Sequence, residues 1–322
     1  MKKCILNTGL LLLLMVLTAC GSNAVNEEPA PVPTGNNAQE SSAATEEGTA
    51  TNGTVTYPSE TGPIEIPANP QRIVALTNGP NVLALDGKLV GVDQWTQANP
   101  LFADRLDGVQ VVSEGDFEEI LELDPDLIIA GAHMETIGEL QKIAPTVVYT
   151  WGKLDYLQQQ LEIGKLLNKE QEAQAWIDDF SSRAAEIGKQ VKARYGDDVS
   201  VSVFETDSKN FYVFGDAWAR GTEILYQAME LNMPEQARAD TQADGYYPIS
   251  LEVIPDYAGD FVVLSRAALG ETDYMDTEVW KSIPAVQNNQ VIVIDLEAST
   301  YSDPISLESM LEIFEEGLLG SN

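Results

Sequence analysis

Eight short apolar runs, divided four and four by one long amphipathic stretch, constrain this chain more than any other feature. The runs are RIVAL (72–76), LVGVD (89–93), DLIIAG (126–131) and TVVYT (146–150) on one side. On the other are VSVSVF (199–204), FYVF (211–214), DFVVLS (260–265) and QVIVID (290–295). Such runs between helical patterns predict buried, mostly parallel strands of an α/β fold. Between the two sets, Ala173, Ile177, Phe180, Ala184, Ile187 and Val191 recur at steps of three and four. That spacing predicts a single helix over 169–195, about 40 Å long at 1.5 Å per residue. A helix of this length suits a strut joining an N-terminal lobe, 56–168, to a C-terminal lobe, 196–322, with a ligand cleft between them.

The halves share a template. DFEEILELDPDLIIA (116–130) and SLEVIPDYAGDFVVL (250–264) align without a gap, pairing Asp116 with Ser250, Glu118 with Glu252 and Asp126 with Asp260. Asp and Ser are favoured helix N-caps because their side chains accept an orphan backbone N–H. Asp116 and Ser250 are therefore predicted to cap. Capping does not require a Glu two positions later in both halves, although acids suit a first helical turn. Pro255 predicts that the second of these helices is short or kinked.

The first nineteen residues combine Lys2 and Lys3 with an apolar run from Ile5 to Ala19, too short for a comfortable membrane span and suited to a signal peptide. The run closes in Leu17-Thr18-Ala19-Cys20-Gly21, which looks like a bacterial lipobox with Cys20 as the lipidated residue. Cys4 would leave with the signal, so the mature domain would hold no free thiol, disulfide or cysteine–metal site. From Cys20 to residue 55 the chain has five Glu, no Lys or Arg and little to bury. This composition predicts a disordered tether with a mean reach of roughly 30 Å. The expected location is extracytoplasmic, lipid-anchored to the membrane of a bacterium without an outer membrane. With 51 Asp and Glu against 18 Lys and Arg, net −33 at pH 7, the surface repels nucleic acid and anionic lipid. Contact with the membrane is expected through the anchor only, and the protein is expected to be a monomer.

The stretch VFGDAWARGTEILYQAM (213–229) places Trp218 and Arg220 between a strand and an amphipathic segment. Loops at the carboxyl ends of strands in α/β sheets are where ligands bind. Two lobes, one strut helix and a lipid anchor, with the phrases NPQRIVAL, ILELDPDLIIAG, IAPTVVY, WKSIPAVQNNQVIVID and DPISLESML in order, resemble the helix-linked substrate-binding proteins of metal-chelate ABC importers. That family binds siderophores, haem or cobalamin. Within it, YVFGDAWARGTEILYQAMEL is similar to the ferric-hydroxamate (ferrichrome and ferrioxamine) binders.

The resemblance implies that Glu118 and Glu252 dock onto arginines of the membrane permease, and that Tyr212, Trp218 and Arg220 hold the ferric chelate. The aromatic rings would offer flat apolar faces and Arg220 several hydrogen bonds. Trp95, Tyr247 and Tyr301 complete the expected ligand-binding set. Thr300, in STYSDPISL, stands where the hydroxamate binders carry a tryptophan. Tyr246, Tyr247, Trp95 and Trp151 are the candidates to replace that wall. No cofactor is implied, because the iron arrives as a chelate.

Other readings compete. His133 and Met134 are both possible haem ligands, but neighbours on one loop do not easily converge on one iron. A bare Zn or Mn site wants several imidazoles, and the chain has one His. Ferric catecholates or citrate would need arginines such as Arg72, Arg220, Arg238 and Arg266 to converge. A hydrolase using cleft carboxylates is the rival from another class, yet the chain has no G-x-S-x-G elbow, nucleotide-binding glycine loop or histidine-rich cluster. An adhesin would repeat sandwich strands in place of two α/β lobes.

Overall fold

The computed structural model describes residues 53–206, 210–270 and 272–320; Cys20 and nearly all of the expected tether lie outside them. All eight apolar runs form strands. In the N-terminal lobe β1 (Thr54–Ser59) and β2 (Gly62–Pro67) form an antiparallel hairpin. They are followed by β3 (Ile73–Ala75), β4 (Leu89–Val92), β5 (Gln110–Val111), β6 (Leu127–Gly131) and β7 (Thr146–Tyr149). The last five make one parallel sheet of order β5-β4-β3-β6-β7. The hairpin had no counterpart in the sequence reading and begins two residues before the expected lobe boundary. It is fastened to β7, where Tyr57 Oη lies 2.8 Å from Tyr149 Oη and Val148 N–H donates to Ser59 Oγ at 3.3 Å.

In the C-terminal lobe β8 (Val201–Thr206), β9 (Phe211–Phe214), β10 (Tyr246–Ile249), β11 (Phe261–Arg266) and β12 (Val291–Asp295) form a sheet of order β10-β9-β8-β11-β12. Here β8, β11 and β12 are parallel, and β9 is antiparallel to both of its neighbours. Each sheet is buried on both faces, which explains why its strands read as continuous apolar runs.

The duplicated template has a structural basis different from the one expected. Asp116 makes no capping bond; its carboxylate turns back to accept from Ser113 N–H (2.7 Å) and Ser113 Oγ–H (2.8 Å). Ser250 caps no backbone N–H with its side chain either. The repeated Asp126 and Asp260 instead tie adjacent strands. Asp126, just before β6, accepts from the backbone of Gln71 and Arg72 entering β3 (2.7 and 2.9 Å). Asp260, just before β11, accepts from Ser200 N–H and Oγ–H entering β8 (2.8 and 2.9 Å). Pro255 sits in the first turn of a short helix, Ile254–Tyr257, where its missing N–H removes no helical bond.

The long helix spans Glu170–Tyr195. Ala173 packs in the N-lobe core, and Phe180, Ala184, Ile187 and Val191 in the C-lobe core. Gly188 lets its backbone run against Met229, whose carbonyl would overlap any Cβ there. A second element also crosses between the lobes. Leu307, Met310, Leu311, Phe314 and Leu318 of the last helix, Pro304–Leu319, fill the C-lobe core. Its first turn, Ile305, and the preceding Tyr301 pack with Leu83, Val92, Phe102 and Leu106 of the N-lobe. Glu308 accepts from Trp176 Nε1–H (2.8 Å) and pairs with Arg183 (2.5 Å), joining the two crossing helices. One strut was expected and two are present. No helix among the described residues is long and apolar enough to cross a membrane.

Candidate functional site

The loops that follow strand ends in the two sheets meet each other. Asn99, beyond β4, donates to Glu297 O beyond β12 at 2.9 Å, and Tyr301 Oη lies 3.3 Å from both Asp93 Oδ1 and Thr96 Oγ1. Trp151, two residues past β7, makes an edge contact with Trp218 at 5.2 Å between centroids. The carboxyl ends of both sheets thus face a shared cleft, the place where open α/β sheets bind ligands.

On the C-lobe side, the register places Tyr212 and Ser265 beside Glu205 in one row near the end of β8. Side chains two apart on a strand share a face, so this row continues the face formed by Val203, Phe214 and Val263, which packs toward the long helix. Arg220 closes over it. Its Nε donates to Glu205 Oε2 at 2.7 Å and its Nη2 to Glu205 Oε1 at 3.2 Å, while Ser265 Oγ–H donates to Glu205 Oε2 at 2.9 Å. The pair is largely buried, with side-chain exposures of 17% and 14%, and the guanidinium stacks on Phe214 at 5.2 Å.

Because β9 is antiparallel to β8, the loop after it does not leave at the carboxyl end of a parallel strand, as the sequence reading assumed. The chain returns through three consecutive left-handed residues, Ala219 (φ 57°), Arg220 (φ 54°) and Gly221 (φ 76°). The two non-glycine residues each cost about 1 kcal/mol, so the turn persists only because its surroundings hold it. Gly221 is required, since a Cβ there would overlap the Phe314 ring. Trp218 N–H donates to Thr222 Oγ1 (2.9 Å), Ala219 N–H to Glu223 Oε1 (3.1 Å) and Arg220 N–H to Ser299 O (2.9 Å). Burial raises the pKa of Glu223, opposed by hydrogen bonds from its own and Ala219's backbone and from the Ser302 and Thr222 side chains. The segment Glu223–Ala228 then winds as a π-helix, with Met229 N–H donating to Ile224 O at 2.8 Å. Such turns are frequent at functional sites.

The structure brings Tyr212, Trp218 and Arg220 together. Tyr246 joins them, 5.1 Å from Trp218 and 6.2 Å from Tyr212 between ring centroids. With Trp151 reaching from the N-lobe, four aromatic rings form a chain across the lobe boundary. Tyr247, next along β10, points to the opposite sheet face, the side of Val213, and does not share the cluster. Trp95 is 65% exposed on the helix Gln94–Ala98, whose N-cap Asp93 accepts from Trp95 and Thr96 N–H. Tyr301 is committed to the lobe contact, and burial raises its pKa. Thr300 folds onto Leu296 O at 2.9 Å, so it supplies no wall.

His133 lies back over Gly131, and Met134 Sδ accepts from Gly131 N–H at 3.4 Å while packing into the N-lobe core. The two do not present a common face to a ligand. The arginines do not converge either. Arg72 bonds the Leu123 and Asp124 carbonyls, Arg266 follows the opposite sheet face beside Tyr274, and Arg238 lies on the helix Glu235–Thr241. Glu118 and Glu252 are exposed, each in the first turn of a helical segment that follows β5 or β10. A hydrogen bond from Ser250 lowers the pKa of Glu252. Sequence reasoning missed Glu205 and Glu223. Glu205 lies in VSVFETD, where a lone acid closing an apolar run signals a partner at the strand end. Glu223 looked like an ordinary helical acid.

Two lobes joined by helices, with aromatic rings gathered where they meet, define the fold of a solute receptor of the helix-linked class. The chain belongs to the periplasmic binding protein family, whose model matches residues 75–298. It is 32% identical to the iron(3+)-hydroxamate-binding protein FhuD of Bacillus subtilis over 96% of this chain and 95% of that protein. It is 31% identical to YxeB, an iron(3+)-hydroxamate-binding protein of the same organism, over 99% and 98%. Among solved structures, FhuD2 of Staphylococcus aureus with bound ferrioxamine B matches with a TM-score of 0.72 at 33% identity, covering 78% of this chain and 98% of that one.

Proposed function

We infer that this chain captures a ferric siderophore of the hydroxamate type outside the cytoplasm and hands it to the permease of an ABC importer. The observation that carries this reading is the ring chain Tyr212–Tyr246–Trp218–Trp151 beside Arg220 at the lobe boundary, in a chain whose relatives include two hydroxamate binders matched over nearly their full length. A hydroxamate siderophore encloses Fe(III) in oxygen and leaves apolar linkers and a few outward oxygens. Aromatic faces suit the linkers, and Arg220 suits the oxygens. No bond is made or broken; the iron is cargo and enters inside its chelate. Trp151 and Tyr246 are proposed to fill the wall that Thr300 leaves open.

Lipidation at Cys20 would hold the protein at the membrane. Glu118 and Glu252, one on each lobe, would meet permease arginines, giving orientation and on-rate more than affinity. The test is tryptophan fluorescence of the purified protein titrated with ferrichrome and ferrioxamine B, then haem and cobalamin. Saturable quenching by the hydroxamates alone is expected. Glu118→Ala should leave that titration unchanged and reduce iron uptake by cells. Loss of chelate binding in Glu118→Ala would remove the docking assignment.

A further inference from the structure

The charge arrangement around the aromatic chain is unusual for a site that receives a metal chelate. Two cations flank the rings, and each is already matched by a glutamate. Arg220 is held in a two-point pair by Glu205, and Lys153, two residues past Trp151, pairs with Glu60 at 3.2 Å. Of the other charges, Asp216 in the Trp218 loop and Asp93 behind Tyr301 are acidic, and Arg238 acts on Tyr226 together with Asp216. Arg266 faces the other side of the sheet. Within a chain of net charge −33, the site therefore offers hydrogen-bond donors with little net positive charge.

The pairing geometry separates those two properties. Glu205 takes Nε and Nη2 of Arg220, and Nη1 has no partner among the described residues. A chelate oxygen can thus be bonded by Nη1 while the ion pair as a whole attracts no anion. Ser265 Oγ–H donates to the same carboxylate, and Glu205 belongs to the paired end of β8, so its carboxylate is held in place from two sides.

We propose that Glu205 is the specificity-determining residue for ligand charge: it lets Arg220 bind neutral or cationic ferric chelates and excludes polyanionic ones. This rests on the reading of the cleft as a siderophore site. A ferric tris-hydroxamate is neutral, or cationic where a protonated amine is appended, whereas a ferric tris-catecholate is a polyanion. One charge gained or lost at close range in a partly desolvated cleft shifts the relative affinity of these classes by about an order of magnitude. Glu205 removes the positive charge that an unpaired Arg220 would offer a polyanion.

The experiment titrates the wild type, Glu205→Gln and Glu205→Asp with ferrichrome (neutral), ferrioxamine B (cationic) and ferric enterobactin (anionic), reading tryptophan fluorescence. Glu205→Gln should gain about tenfold for the anion relative to the neutral chelate and lose several-fold for the cation relative to it. Glu205→Asp should restore the wild-type order. An equal change for all three chelates in Glu205→Gln would overturn the proposal and leave the hydroxamate reading standing. A wild type that ignores both hydroxamates would overturn that reading and the proposal together. Should Glu205→Gln fail to fold, salt decides: raising ionic strength must narrow the wild-type gap between cation and anion, and a gap indifferent to salt overturns the proposal.

Discussion

Trp95 and Trp218 stand at the rims of opposite lobes, and the molecule treats them differently. Trp95 rides on a short helix capped by Asp93 and is left open to solvent. Trp218 is fixed by a bond to Thr222, rests against Gly245 and touches two more rings. Each lobe carries the same order of five strands, apart from the reversed β9, and the same aspartate tie between strands. The repeated parts are scaffold, together with the two exposed acids that suit a two-lobed partner. The unrepeated part, a strained turn in the second lobe, is where ligand recognition is proposed to concentrate.

That contrast breaks most readily at Gly221. Gly221→Ala forces a Cβ into Phe314 at a left-handed position, and the expected loss is about 3 kcal/mol in urea unfolding, together with hydroxamate binding. Retention of full stability would mean the turn is not held as described. Next comes the tryptophan pair: Trp218→Ala should weaken ferrioxamine binding about thirtyfold and Trp95→Ala only about threefold, read by titration calorimetry. Equal losses would erase the asymmetry between the rims.

The smallest effect lies at Glu223. Glu223→Gln keeps one acceptor and loses the other, costing about 1 kcal/mol. Its diagnostic is pH. Burial raises the folded pKa of this acid, so the folded chain holds its proton at higher pH than the unfolded chain. Its contribution to stability is greatest below the unfolded value of about 4.3 and falls as pH rises through the folded one. The stability of the wild type relative to Glu223→Gln should therefore decline as pH rises above the unfolded value and level off once the folded acid has ionised. A flat difference would show the carboxyl is not buried as described.

Strand positions and the strut were legible because burial on both sheet faces demands uninterrupted apolar runs, and because a helix face repeats every three to four residues. Ile177 is only half-buried, and the rest of the predicted face is covered as expected. Strand direction was not legible. Nothing in FYVF says that β9 runs against its neighbour, and so the route of the Trp218 loop was misread. Tyr246 and Tyr247 could not be separated until β10 had a register. Asp116 and Ser250 misled because an N-cap residue has alternative backbone donors, and Asp116 took Ser113. Glu205 and Glu223 were hidden for a common reason: their meaning lies in partners that are distant in space or buried under a turn.

The last helix, seated in the C-lobe core and resting its first turn on Leu83 and Phe102, turns the joint between lobes from a hinge into a truss. A single rod permits rotation about itself; two crossing members braced through Glu308 resist it. Loaded and empty forms of such a frame would present nearly the same outer profile. A docking partner that must tell them apart has to sense the stiffening of the cleft rim by its cargo, because the frame offers no jaw whose closing it can measure.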